Sequence, residues 1–102
     1  LSNYGYAKET ILYDDRGNII EAAIYDVDGE LCLNKNGYAK ITAKYDNRGN
    51  QIEIAYYGID GKLCLNDKGV AKITAEYDEQ GFVIDFYVYD ADCNDITEEF
   101  TN

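Results

Sequence analysis

Tyr38-Ala39-Lys40-Ile41-Thr42-Ala43-Lys44-Tyr45 is followed by Asp46-Asn47-Arg48-Gly49-Asn50 and then by Gln51-Ile52-Glu53-Ile54-Ala55-Tyr56-Tyr57. In the first run Ala39, Ile41, Ala43 and Tyr45 alternate with Lys40, Thr42 and Lys44, the period-two pattern of a strand with one buried face. In the last run Ile52, Ile54 and Tyr56 alternate with Gln51, Glu53, Ala55 and Tyr57. The polar, glycine-containing stretch between them predicts a hairpin turn. A loop of Arg48-Gly49 would set Tyr45 opposite Ile52, Ala43 opposite Ile54 and Ile41 opposite Tyr56. It would also face Lys44 with Glu53, a favourable cross-strand charge pair. An odd-length loop would bring Tyr45 to Glu53 and mix the faces. An even-length loop is therefore expected, with Gly49 at positive φ; a four-residue loop keeps the faces and shifts the partners.

The same grammar recurs on either side with a period of 32 residues. Gly5-Tyr6-Ala7-Lys8 returns as Gly37-Tyr38-Ala39-Lys40 and as Gly69-Val70-Ala71-Lys72, and Tyr13-Asp14 returns as Tyr45-Asp46 and Tyr77-Asp78. Asp28-Gly29-Glu30-Leu31-Cys32-Leu33-Asn34 returns as Asp60-Gly61-Lys62-Leu63-Cys64-Leu65-Asn66. Such self-similarity predicts stacked supersecondary units. Further turns are expected at Asp60-Gly61-Lys62 and Asn66-Asp67-Lys68-Gly69, with Leu63-Cys64-Leu65 a short third strand or a packed connection. Ile20, Ala22 and Ile24, like Ile84, Phe86 and Val88, are expected on the buried face. The predicted fold is all-β: tandem 32-residue β-hairpin repeats in an elongated, mainly antiparallel sheet or a solenoid-like array.

One domain is expected over 1–102, with repeats at about 5–36, 37–68 and 69–100. Leu1-Ser2-Asn3-Tyr4 lines up with Leu33-Asn34-Lys35-Asn36, so 1–4 is the expected remnant of a preceding unit in a longer, trimmed array. Asp92-Cys93-Asn94-Asp95 replaces Asp60-Gly61-Lys62-Leu63, and the decay over 90–102 is expected to cap the sheet edge. An open edge at the other end would favour self-association by strand pairing.

The sequence holds 11 Tyr and lacks His, Pro, Met and Trp, with a formal net charge of −11. That charge, without a basic cluster, disfavours nucleic acid and anionic membranes as partners, and no apolar run is long enough to span a bilayer. Without His there is no Ser-His or Cys-His pair and no imidazole metal ligand. No nucleophile, oxyanion site or phosphate cradle is recognisable, so no catalytic residue, cofactor or metal site is assigned and the chain is expected not to be an enzyme. Cys32, Cys64 and Cys93 fit no zinc spacing and are expected to be buried free thiols. Asp26-Val27-Asp28-Gly29-Glu30 has alternating acids suited to a hard cation, but Gly58 stands where Asp26 does. A turn whose Asp bonds its own backbone is the expectation there.

Tyrosines make the more informative constellation. Tyr13, Tyr45 and Tyr77 end the first strand of each unit on the apolar face, where core packing is expected. Tyr25, Tyr57 and Tyr89 fall on the opposite, polar face, recurring about every 10 Å. An exposed ladder of such rings would be a platform for a glycan or an extended peptide, since Tyr joins apolar area to a hydroxyl; alternatively the rings simply pack under a second layer. These three residues are the candidate binding site.

The Tyr-Asp-x-Arg-Gly-Asn element resembles the tyrosine–aspartate (YD, RHS-type) repeats of bacterial surface and toxin proteins, and the hairpin rhythm is similar to MORN and YwqK-type repeats. Tyr13-Asp14, Tyr45-Asp46 and Tyr77-Asp78, with Gly17, Gly49 and Gly81, carry the likeness. The longer unit and the Gly-Tyr-Ala-Lys and Leu-Cys-Leu-Asn framing depart from it. The resemblance implies a non-enzymatic segment of a larger bacterial protein, extracellular or at the cell surface. The expected function is a scaffold that binds proteins; the alternative is binding of cell-wall glycans through the tyrosine ladder.

Overall fold

A computed structural model describes residues 6–100. The fold is all-β: one open six-stranded antiparallel sheet with its strands in sequence order. The strands are β1 (Tyr6–Tyr13), β2 (Ile19–Asp26), β3 (Lys40–Tyr45), β4 (Gln51–Tyr57), β5 (Lys72–Tyr77) and β6 (Val83–Tyr89), followed by a 3-10 turn at Thr97–Phe100. The remnant expected at 1–4 lies outside the described residues, as do 101 and 102 of the expected cap. Among the described residues no helix is long and apolar enough to cross a membrane.

The expected partners hold over most of each hairpin: Ile41 faces Tyr56, Ala43 faces Ile54 and Lys44 faces Glu53. The even-length loop does not. The Gly49 N–H donates to the Asp46 carbonyl at 3.1 Å and the Asp46 N–H to the Asn50 carbonyl at 2.9 Å, so three residues form the loop. Gly49 takes φ +86, the left-handed position that closes a type I turn of this kind. Tyr45 consequently faces Gln51, not Ile52, and a bulge lies between the Tyr45 and Lys44 pairs. That extra residue on the returning strand cancels the odd loop and returns Ile54 and Tyr56 to the face of Ile41 and Ala43. The first and third hairpins carry the same bulge, with Tyr13 facing Ile19 and Tyr77 facing Val83.

An identical pair of backbone bonds closes the turns that open at Asp26, Asn34, Gly58, Asn66 and Asp90. Leu31 and Leu63 each make one bridge, to Tyr25 and Tyr57, so Leu63-Cys64-Leu65 is a connection and not a strand. Adjacent hairpins join through short pairings: Glu21, Ala22 and Ala23 face Thr42, Ile41 and Lys40, and Glu53, Ile54 and Ala55 face Thr74, Ile73 and Lys72.

Burial meets expectation at Ile24 and Val88 and departs from it elsewhere. The buried hydrophobic residues are Ala23, Ile24, Ala39, Ala55, Val70, Ala71 and Val88. Ile20 and Ala22 are only half-buried, and Ile84 and Phe86 are exposed. Tyr13 is 58% exposed, while Tyr45 and Tyr77 are half-buried. A single layer explains this: large side chains on an uncovered face stay wet, whereas small alanines vanish between their cross-strand neighbours. The thiols are free, but Cys32 and Cys64 are half-buried and Cys93 is exposed, because the connections lie at the margin of the sheet.

Candidate functional site

Tyr57 and Tyr89 end the second strand of their hairpins and Tyr25 lies one residue before the end of its own, each just before a turn. The register sets Lys8, Lys40 and Lys72 directly opposite them. The Lys40 ammonium lies 5.2 Å from the Tyr57 ring centroid, and Lys72 stands at 5.2 Å over Tyr89. Each such pair is a cation–π contact and occupies one face of its ring, so the rings are half-buried. The lysine partners were missed by sequence reasoning; their constant position in Ala-Lys, one strand before each tyrosine, was the available signal.

Neighbouring hairpins are staggered. Ala23 pairs with Lys40 and Lys40 with Tyr57, so the cross-strand row containing Tyr57 meets β2 at Ala23, two residues short of Tyr25. The ladder is therefore diagonal, with steps of about 12 Å given ordinary strand spacing and rise. Thr42 and Thr74 lie beside it on the same face, and Lys44 reaches Glu53 at 3.5 Å.

The turn carboxylates are committed to the backbone. Asp46 Oδ1 accepts from the N–H groups of Arg48 and Asn50, each at 2.9 Å. Asp26 Oδ1 likewise accepts from Asp28 and Glu30 at 2.9 and 3.1 Å. Donation from the Asn18 N–H holds the Asp14 carboxyl below its usual range, and the Asn94 N–H does the same for Asp90. Loss of hydration pushes the Asp46 carboxyl up, but the donors on Asn50 and Arg48 outweigh it and the net displacement is downward. Burial pushes the Cys32 and Cys64 thiols up, with Asp26 and Asp60 adding to the effect, which lowers the thiolate fraction that nucleophilic chemistry needs.

A second concavity was not anticipated. Asn36, Tyr38, Tyr56, Asn66, Asp67 and Lys68 line a cleft of about 320 Å³ where two successive turns stack. The Asp67 N–H donates to the Asn36 carbonyl at 2.7 Å, and the rings of Tyr38 and Tyr56 meet at 4.8 Å with a 57° tilt. Burial, and then Tyr38, raise the Tyr56 hydroxyl above its ordinary value. Its signal in the sequence is Tyr56 standing where Ile24 and Val88 stand in the flanking hairpins.

Protein-family models, curated proteins and solved structures give no match to this chain.

Proposed function

We propose that the chain is a non-enzymatic scaffold of tandem 32-residue β-hairpin repeats, of the bacterial tyrosine–aspartate type, and that it binds a protein across its apolar sheet face. The uncovered face carries this reading. Among the described residues no large side chain is fully buried, and the radius of gyration is 14.9 Å, against about 13 Å for a compact chain of this length. The accessible surface is 6827 Å², where a compact monomer of this mass would show roughly 5,800 Å². The excess, roughly 1,000 Å², is close to the ~800 Å² per partner of a stable protein interface. Ile11, Ile41, Ile54, Ile73, Phe86 and Val88 share that face, where Glu9 stands opposite Ile24.

Fluorescence of an apolar dye, measured together with light scattering, tests the reading. A folded monomer should bind the dye, and a Phe86→Asp, Ile54→Lys variant should lose it while keeping its β circular dichroism. A folded monomer that ignores the dye would overturn it.

A second reading, glycan binding at Tyr25, Tyr57 and Tyr89, draws on the repeated lysine–tyrosine pairs of the opposite face. Replacing the three by Ala should abolish retention on cell-wall glycans while leaving folding intact. If stability falls with retention, the rings serve packing instead.

A further inference from the structure

At each internal junction the outward N–H groups of one hairpin are taken by the next. The Ile24 N–H donates to the Ala39 carbonyl at 3.0 Å and the Tyr56 N–H to the Ala71 carbonyl at 2.8 Å. Ala22 and Ile54 face Ile41 and Ile73 in the same pairings. Arg16 Nη1 crosses to the Asn47 carbonyl at 2.6 Å, and Arg48 Nη1 crosses in the same way to the carbonyl of Glu79.

The β6 edge answers the same requirements from its own side chains. The Val88 N–H donates to Thr97 Oγ1 at 2.8 Å, where Ile24 and Tyr56 used a neighbouring strand. The Thr97 hydroxyl in turn donates to Asp95 Oδ1 at 2.6 Å, which leaves an oxygen lone pair for Val88. The Phe86 N–H donates to Asp85 Oδ1 at 3.0 Å, and the Tyr87 hydroxyl steadies that carboxylate from the other side at 2.8 Å. Gln80 stands where Arg16 and Arg48 reach across, Asp85 where Glu21 and Glu53 stand, and Thr97 where Leu33 and Leu65 stand. On β1, Glu9 takes the place of Ile41 and Ile73 and is exposed.

A sheet whose internal junctions share one register could add a second copy by the same register, β1 onto β6. That contact is heterologous and does not close, so it would propagate as a filament. We propose that Gln80, Asp85 and Thr97 along the β6 edge, with Glu9 on β1, block head-to-tail addition of a second copy of this chain. Backbone donors already satisfied offer nothing to an incoming strand, and a charge set into the apolar row of an edge strand opposes its burial. Resting on the repeat-array reading above, the block concerns the sheet edges; the dye experiment reads the sheet face, so the two fail separately.

The test restores the junction residues in the full chain: Glu9→Ile, Gln80→Arg, Asp85→Glu and Thr97→Leu together. The natural chain should keep one mass across a wide concentration range by light scattering. The variant should grow in mass with concentration and show unbranched filaments by electron microscopy. Open-ended growth of the natural chain would overturn the proposal, as would a folded variant whose mass tracks that of the natural chain. Should the fourfold variant not fold, Thr97→Val and hydrogen exchange at the Val88 amide decide the matter. Exchange should become several-fold faster, whereas an unchanged rate would mean that the threonine hydroxyl does not close this edge.

Discussion

Cys93 is the described non-glycine residue held at positive φ, at 67°. Gly29 and Gly61 occupy the matching place in the preceding units, at φ +84 and +80. A Cβ in that region meets the following carbonyl, at a cost of about 1–2 kcal/mol. Cys93→Gly should therefore stabilise the chain by about 1 kcal/mol, visible as a higher melting temperature; an unchanged or lower one would mean that its thiol is doing compensating work. Tyr45 makes the complementary case. Its hydroxyl donates to the Ile19 carbonyl at 2.9 Å, and that of Tyr77 donates to Gln51 at 2.6 Å, each spanning 26 residues back to the preceding hairpin. Either Tyr→Phe change should cost about 1 kcal/mol. Tyr13→Phe, which has no preceding hairpin among the described residues, is the control and should cost little. Equal losses at all three would tie the effect to the ring and not to the bond. The tyrosine–aspartate pairs thus do two jobs that sequence alone did not separate: the aspartate closes its own turn, and the tyrosine fastens one hairpin to the one before.

At the scale of the element, each turn is a five-residue unit, and every one except that at Gly58 is organised by the side-chain oxygen of its first residue. Asn34 and Asn66 fill the position with an amide oxygen that accepts the same backbone donors, so a negative charge is not required for the geometry. Charge does set the response to acid. The carboxyls of Asp14, Asp46 and Asp90 lie below their usual range when folded. Their contribution is complete above the unfolded value, near 3.9, and is lost as pH falls through the lower folded values. Stability to urea should therefore drop below about pH 4. Changing all three to Asn should flatten that drop while leaving stability at neutral pH nearly as it was. Parallel losses in the variant and the natural chain would point to other carboxylates. The register shows how far such elements were legible. Alternation correctly paired Ile41 with Tyr56 and Lys44 with Glu53, because faces are set by period. It misplaced the loop, because a bulge and an odd loop cancel and leave the same alternation on both sides.

For the whole molecule, one open layer 45 × 34 × 20 Å across has a thermodynamic consequence. Unfolding exposes less new apolar surface than in a domain with a closed core. The heat-capacity change should accordingly fall below the roughly 1.2–1.5 kcal/mol/K usual for about a hundred residues, and the urea m-value should be low for the length. Ordinary values for a monomer would mean that the face is covered in solution. The candidate tyrosines were legible by position, since Tyr25, Tyr57 and Tyr89 follow from alternation alone. The lysines over Tyr57 and Tyr89 and the diagonal stagger were not, because both depend on how one hairpin meets the next. By itself the sequence determined the strands, the turn sites and the side of the sheet on which each residue falls, all of which follow from local periodicity and the needs of positive φ. Only the tertiary structure decided that the sheet stays open, that its large apolar residues remain half-wet, and that Asp85 and Thr97 seal one edge. Those outcomes turn on which backbone donors find partners far along the chain, and no local pattern records that.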